Sequence, residues 1–279
     1  MIKKYFLITL VALAPGCSDK NEAVDKIDSD TPSSCILPIK VTDTDDDGEP
    51  MSIKYNGNKI ISIISDINPD NKILFTYDGD NIVSIRSYIN NKLNYERDYT
   101  YSNDKLIYSS HVSILDRDQI TYSYPHVNTT IIKAIKTMSY SQNETTYNLD
   151  YKLNSDGVVT SFSGQGSGVS NGTSETYELS VEITYGDKNA PFKNVTCFNK
   201  LILDNDISLL SNVKNNILMY KEVRKTKSAT VSSEDWYYCK TTSTYNKENY
   251  PTKEIMRYYN TDDTPSLSDP EIYLYEYNK

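Results

Sequence analysis

The sequence has few of the residues from which catalytic centres are usually built. Its 279 residues include two histidines, His111 and His126, and neither stands beside a nucleophile motif. No His-Glu-x-x-His or glycine-rich phosphate loop occurs, so the common metalloprotease and nucleotide-binding motifs are absent. The sequence therefore predicts a protein that is not an enzyme, with both histidines at a surface or strand edge.

Long apolar runs are missing too, and the cleanest one lies at the start. Lys3 and Lys4 precede an apolar stretch over 5–14, and Pro15-Gly16 then lead to Cys17. Ten apolar residues fall short of the roughly 20 that a spanning helix needs. A basic start, a short apolar core and a cysteine are typical of a bacterial lipoprotein signal peptide over 1–16, with acylation of Cys17. Plain secretion is the alternative.

The residues after the expected cleavage point are acidic and polar. Residues 17–33 are too polar to fold and are predicted to be a flexible tether. Their first part, Ser18–Glu22, resembles the export signal that sends bacteroidete lipoproteins to the outer face of the outer membrane. A solvated linker without an address is the alternative. We expect a lipid-anchored protein of the outer membrane, on the cell surface or the periplasmic face.

Basic charge is in the minority. The chain has 29 Lys and Arg against 38 Asp and Glu, a formal net charge of −9. Removing residues 1–16 takes away two lysines and no acid, which leaves 27 basic residues and a net charge of −11. Such a surface repels phosphate backbones, so nucleic acid is not an expected partner.

Cysteine is scarce for a secreted protein. If Cys17 is acylated, Cys35, Cys197 and Cys239 remain, which allows one disulfide and one leftover thiol in any of three pairings. No Cys-x-x-Cys spacing occurs, so a zinc site built from these residues is not expected.

From residue 47 onward the chain repeats a short unit. The stretch 53–63 is echoed by 75–85 and more loosely by 99–108, and Tyr55 and Tyr77 are 22 residues apart. Each unit has a strand ending in Tyr, an Asn-Gly or Asp-Gly turn suited to a type I′ hairpin, and a second β-branched strand. The sequence therefore predicts an antiparallel meander of hairpins.

Tyrosine dominates the aromatic residues, with 25 Tyr against five Phe and one Trp. Within 93–101, Tyr95, Arg97, Tyr99 and Tyr101 fall on one face of a predicted strand, and polar residues fall on the other. One interpretation is an aromatic platform on which sugars stack. The other is cross-strand packing that holds the sheet together, and we favour it.

Helix is scarce as well. A short helix is predicted around Asp206–Val213, where apolar residues follow an acidic cap. The Gly- and Ser-rich stretch Ser163–Ser174 is predicted to be a mobile loop. No break has the composition change of a domain boundary, so residues 34–279 are predicted to form a single all-β domain.

One acidic segment suggests a metal. Asp43, Asp45, Asp47 and the glycine after them match the first half of a calcium loop, in which alternating carboxylates converge on the ion. Lys54 stands where the loop should end in a bidentate Glu. An acidic lead-in to the first hairpin is the favoured interpretation, calcium is the alternative, and no other cofactor is expected.

The hairpins and several later blocks resemble a known family. The later blocks are Tyr185–Phe192, Leu210–Asn216, Tyr245–Lys253 and Tyr273–Tyr277. In this order they are similar to a bacteroidete lipoprotein family, a domain of unknown function with YD-type hairpin repeats and a porin-like fold. The resemblance covers nearly all of residues 47–279. It implies a barrel-like fold and an envelope address, and it brings no catalytic residues.

A porin-like fold need not form a pore. Transmembrane barrels turn apolar residues outward, whereas polar residues alternate along 94–100 and the mean hydropathy is −0.57. The sequence therefore predicts a water-soluble all-β protein, a strongly curved sheet or open barrel tethered beside a membrane.

Two functions fit this fold. The first is a non-enzymatic surface lipoprotein that binds an extracellular glycan or envelope protein through the sheet and its loops. The alternative is a periplasm-facing carrier of an apolar ligand in the concavity. An inward face of Ile, Leu and Val would favour the carrier, and one of packed Tyr would favour the binding module.

Overall fold

The computed structural model covers the predicted β domain in eight ranges. They are residues 35–44, 48–115, 118–126, 130–140, 143–170, 172–203, 214–230 and 232–279. The predicted signal peptide over 1–16, the predicted tether over 17–33 and the helix predicted at 206–213 all lie outside the described residues.

The described chain is almost entirely strand. The strands are β1 (Pro38–Asp43), β2 (Pro50–Asn56), β3 (Lys59–Ser65), β4 (Lys72–Asp78), β5 (Asn81–Ile89), β6 (Lys92–Ser102), β7 (Lys105–Ser113), β8 (Asp118–Ser123), β9 (Ile131–Tyr140), β10 (Asn143–Leu153), β11 (Val159–Ser170), β12 (Thr173–Asn189), β13 (Asn215–Lys227), β14 (Ser232–Tyr245), β15 (Pro251–Tyr258) and β16 (Glu271–Tyr277). One 3₁₀ helix, Phe198–Leu203, follows β12. Within the described ranges, no helix is long and apolar enough to cross a membrane.

The sixteen strands form a closed barrel. Each strand pairs antiparallel with its neighbours in the chain, and β1 pairs with β16, with Val41 opposite Tyr275. The predicted all-β antiparallel meander is therefore confirmed, and the sheet closes completely. Closure leaves no edge strand with unpaired backbone groups.

The hairpin turns differ in detail from the prediction. In the β2–β3 and β4–β5 turns only the glycines, Gly57 and Gly79, have positive φ, at 59° and 55°. A type I′ turn needs two such residues. Two successive residues with positive φ occur instead in the next two turns, at Asn90 and Asn91 and at Asn103 and Asp104. Asn and Asp tolerate the left-handed region.

The Gly- and Ser-rich segment is not a loop, so that prediction was wrong. Residues 159–170 and 173–189 are the strands β11 and β12, and they pair continuously from Ser161–Glu182 to Ser170–Thr173. The composition misleads because Gly164, Gly166 and Gly168 face inward opposite β10 while serines and Gln165 face outward. The inward–outward alternation of a strand is present, but its inward positions are glycines, which have no side chain.

Several tyrosines pack in the barrel interior, as the favoured interpretation predicted. Along β6, Arg97 and Tyr99 are buried while Asp98 and Thr100 are exposed. Tyr275, on β16, is buried as well. The inward tyrosine rings therefore fill the barrel from its wall.

The segment between β12 and β13 also fills the barrel, and we call residues 190–203 the plug segment. Phe192 and Phe198 are almost fully buried and lie 5.7 Å apart between ring centroids. Phe198 also contacts Phe75 of β4, at 6.2 Å. Both plug rings belong to the same apolar core as inward residues of thirteen strands, so the plug segment enters the barrel.

Hydrogen bonds attach the plug segment to the turns at one end of the barrel. The Thr196 amide donates to the Asn58 carbonyl at 3.0 Å, and the Asn194 side chain donates to the Tyr250 hydroxyl at 2.7 Å. We call this the plug end. It holds the turns that follow even-numbered strands, the start of β1 and the last residue of β16. The opposite end, with the connections that follow odd-numbered strands, is called the far end.

No disulfide joins the three described cysteines, although the sequence allowed one. Cys197 lies in the plug segment, where its Sγ accepts a hydrogen bond from the Ile82 amide at 3.2 Å. Cys239 lies on β14, and burial raises the pKa of its thiol to about 11. Cys35 precedes β1 and accepts a hydrogen bond from Asn58. The three thiols lie in different parts of the fold and do not pair with one another.

A carboxyl group is buried in the barrel. Glu254 of β15 is buried and accepts a hydrogen bond from the Tyr275 hydroxyl at 2.9 Å. Burial raises the pKa of Glu254 above its usual range, because the charged form loses its hydration.

Shortening Phe198 tests the plug segment. We expect Phe198→Ala to lower the free energy of unfolding by about 3–5 kcal/mol, because it leaves a cavity in a fully buried site. Chemical denaturation measures the change. Leu267→Ala is the control, since Leu267 is fully exposed and should change stability little. Equal effects would contradict a packed plug.

Replacing Glu254 tests the buried carboxyl. Because the pKa of Glu254 is raised in the folded chain, its contribution to stability is full below the unfolded value and falls as pH rises through the folded value. Glu254→Gln does not ionise, so its stability relative to the native chain should increase from pH 4 to 8. Glu276→Gln, at an exposed position, is the control, and a constant difference across pH would contradict the burial argument.

Candidate functional site

Only one of the three predicted calcium ligands lies within the described residues. Asp43 ends β1 opposite Tyr273 of β16, while Asp45 and Asp47 lie outside the described residues, as does the acylation site Cys17. Among the residues that the structure describes, no cluster of three or more His, Cys, Asp or Glu side chains could hold a metal. The calcium site remains a prediction.

Both histidines have structural contacts. A ring nitrogen of His126 lies 2.8 Å from the Leu106 carbonyl oxygen. The His111 ring, on β7, packs edge-on against Tyr95 at 5.4 Å. Neither contact brings a nucleophile to the imidazole. His111 is the cross-strand partner of the buried Arg97 in a closed barrel, so the predicted place at a surface or strand edge was wrong for His111.

A depression of about 300 Å³ lies on the outer wall of β11, β12 and β13, and we call it the outer groove. It is lined by Ser163, Gly164, Gln165, Glu178, Leu179, Ser180, Val223 and Lys225. Its walls therefore carry hydroxyl, amide, carboxylate and ammonium groups around a small apolar floor.

The glycines of β11 explain why the wall is so closely packed here. A Cβ added to Gly164 would lie 1.9 Å from the Asn148 carbonyl oxygen, and one on Gly166 would lie 2.7 Å from the Tyr147 ring. Only residues without side chains allow β11 to approach β10 so closely. The neighbouring outward residues, Ser163 and Ser180, are small, which leaves the depression between larger side chains.

Aromatic and lysine side chains alternate next to the outer groove. Val223, which lines the groove, is the cross-strand partner of Trp236 on β14, and Trp236 is 40% exposed. We call Lys221, Trp236, Tyr238, Lys240 and Tyr259 the aromatic–lysine strip. It continues the outward face of β13 and β14 beyond the groove.

The two lysines of this strip lie over aromatic rings. The Lys221 ammonium is 5.0 Å from the Trp236 ring centroid, and the Lys240 ammonium is 4.6 Å from that of Tyr259. Tyr238 packs against Tyr259 with 5.6 Å between centroids. Cation–π contacts of this kind fix the rings in place while their outer faces stay wet.

An acidic residue fixes one end of the strip. Asp263 accepts hydrogen bonds from the Lys240 ammonium at 2.6 Å and from the Tyr238 hydroxyl at 2.9 Å. The hydrogen bond from Lys240 holds the pKa of Asp263 below its usual range, and the same contact raises the pKa of Lys240. Both groups are therefore charged at neutral pH.

This arrangement can bind a flat, polyhydroxylated ligand. An exposed indole or phenol ring supplies an apolar face, and the groove supplies donors and acceptors at its edge. Sequence reasoning missed the site, because Trp236 and Tyr238 lie beside Val223 and Lys221 only through the strand pairing. The available signal was the single Trp two residues before a Tyr in a strand pattern.

Comparison with known proteins yields little. No protein-family model matches the chain, and no curated protein does. The crystal structure of a porin-like protein from Bacteroides uniformis matches at 10% identity and a TM-score of 0.43, covering 88% of this chain and 98% of that one. A likeness this low carries no inference. The family named from the hairpin repeats remains a prediction.

Gly164 provides a test of the groove's backbone. We expect Gly164→Ala to lower the free energy of unfolding by about 3 kcal/mol or more, since the added methyl group meets rigid backbone. Gly172→Ala is the matched control in the same hairpin: its φ is +78° with open space around it, and a cost of about 1–2 kcal/mol follows. Thermal denaturation compares the two, and equal losses would contradict the close packing.

Proposed function

We propose that this protein is an outer-membrane lipoprotein, anchored through acyl chains on Cys17, and that it serves as a non-enzymatic module for binding an extracellular glycan. The observation that carries the binding role is the exposed Trp236 beside the outer groove. In this proposal Trp236 and Tyr238 stack on sugar rings, and Lys221 and the groove residues bind hydroxyl groups.

The polarity of the outer wall supports a barrel that stands in water. The outward residues of β10 are Glu144, Thr146, Asn148, Asp150 and Lys152, and those of β12 include Thr176, Glu178, Ser180, Glu182 and Thr184. A lipid-facing wall would need an apolar band at these positions. The wall is therefore available to a soluble ligand.

The interior supports the binding module over the carrier. The plug segment and inward side chains form one continuous apolar core. The chain itself therefore occupies this part of the barrel interior. Tyr237 and Tyr258 lie further toward the far end and contact each other at 5.3 Å. The inward Ile53, Ile63 and Ile85 are of the kind that the carrier would need, but they belong to the same packed core as the plug segment, so the carrier stays the alternative.

Glycan binding is tested with the mature chain, residues 17–279. An array of neutral and uronic-acid-containing polysaccharides identifies a ligand, and isothermal titration then measures affinity. We expect Trp236→Ala and Lys221→Ala each to weaken binding, Trp236→Ala by about tenfold or more, because stacking residues dominate such sites.

The control is Tyr108→Ala, which removes an aromatic ring of similar exposure from β7. It should leave affinity unchanged. If no polysaccharide binds, or if all three variants bind equally well, the proposed glycan function is wrong. Binding of an envelope protein that depends on Trp236 would keep the site and replace the ligand.

A further inference from the structure

The two ends of the barrel differ in what their connections expose. At the far end, Ile67 is 69% exposed, Leu115 is 73% exposed and Leu267 is fully exposed. Ile89, Ile114 and Val169 at the same end are each more than 40% exposed. We call these six residues the apolar rim. They lie in or beside five separate connections.

The plug end has a different composition. Its tight turns are Asn56–Lys59, Asp78–Asn81 and Ser102–Lys105, with Asn154–Val158 and Asn246–Tyr250 as longer ones. Their tips consist of Asn, Asp, Gly, Ser, Lys and Glu. Scattered apolar residues on a surface need no explanation. Ile39 and Leu218, on strands near the plug end, are 40% and 41% exposed, but among the described residues only the far end carries aliphatic side chains as exposed as Ile67, Leu115 and Leu267. That difference between the ends does need an explanation.

Much of the apolar rim is held rigidly. The Asn68 side chain donates to the Asn90 side chain at 2.9 Å, joining the β3–β4 and β5–β6 connections. The Asn91 amide donates to the Asp70 carbonyl at 3.0 Å, and the Ile114 amide donates to the Asn94 carbonyl at 2.8 Å. Three successive hairpins therefore present their aliphatic side chains in fixed positions.

A planar surface fits this arrangement best. The six side chains are distributed around one end of a closed barrel, and neighbouring hairpins are roughly 10 Å apart because each contributes two strands. A protein partner packs against a contiguous patch. A bilayer interface can take up separate aliphatic tips one by one, each contributing through its own buried area.

Chain length allows a second contact with the same membrane. Eighteen residues, 17–34, separate the proposed acylated Cys17 from the described barrel, and this length can span at most about 60 Å. An eleven-residue strand such as β10 measures about 36 Å. The acyl chains and the far end can therefore reach one bilayer although the chain enters the barrel at the plug end. A single acyl chain binds membranes only marginally, so a second contact has a clear use.

We infer that the apolar rim inserts into the interface of a phospholipid bilayer and orients the barrel with its far end on the membrane. The lipid that the rim contacts is expected to be zwitterionic, because the mature chain's net charge of −11 disfavours anionic headgroups. In this orientation the outer groove, on the side wall, stays accessible. The inference depends on the proposed anchor only for the second contact.

Vesicle co-sedimentation tests the inference without the anchor. The mature chain carrying Cys17→Ser is mixed with phosphatidylcholine vesicles, so any binding comes from the protein surface. A triple variant, Ile67→Asp, Leu115→Asp and Leu267→Asp, should reduce partitioning about tenfold or more. Binding of the parent should be insensitive to salt, because apolar insertion is not screened.

The matched control changes three aliphatic residues of the outer wall instead: Ile131→Asp, Ile135→Asp and Leu274→Asp. It adds the same charge, and its partitioning should stay within twofold of the parent. Circular dichroism confirms that each variant is folded. Absence of vesicle binding by the Cys17→Ser chain, or equal losses in both triple variants, would overturn the inference. Neither result bears on glycan binding, which is measured without lipid.

Discussion

The structure depends on filling a sixteen-stranded barrel. A barrel widens with each strand, and at this strand number one lined by ordinary side chains keeps a water-filled channel. Here inward tyrosines reach far from the wall, and the plug segment supplies Phe192 and Phe198 from the end. The abundance of tyrosine and the long connection between β12 and β13 serve the same requirement.

That requirement also explains the glycines of β11. Large inward rings need room, and Gly166 provides it directly beneath Tyr147. The same missing side chains let β11 run close to β10, and the outward residues beside them, Ser163 and Ser180, are small. The outer groove is therefore a consequence of how the inside is packed, and the site on the wall and the core behind it depend on the same strand.

Local features of this fold could be read from the sequence, and non-local ones could not. The hairpins around Gly57 and Gly79 and the inward alternation of Tyr95 to Tyr101 involve residues close in the chain, so the meander was predictable. Pairing of β1 with β16 and entry of the plug segment join residues more than 100 positions apart, which no local pattern specifies. The segment 163–174 was misread because its inward positions are glycine, which removes the apolar half of a strand pattern.

The candidate site shows the same limit. Trp236, Val223 and Ser180 come from three strands, and their proximity depends on a register that only the folded sheet defines. Composition indicated that tyrosine would pack and that catalysis was not expected. It could not indicate which aromatic ring would remain on the outside.

Closure by the first and last strands has a consequence for biogenesis. The Leu37 amide donates to the side chain of Asn278, across 241 positions of sequence, so the barrel cannot be completed until the whole chain is available. Folding that depends on such distant contacts is slow, because loop closure must precede most of the stabilising pairs. A chain that emerges from an export channel amino terminus first would therefore remain in a translocation-competent, unclosed state until its final residues have passed through.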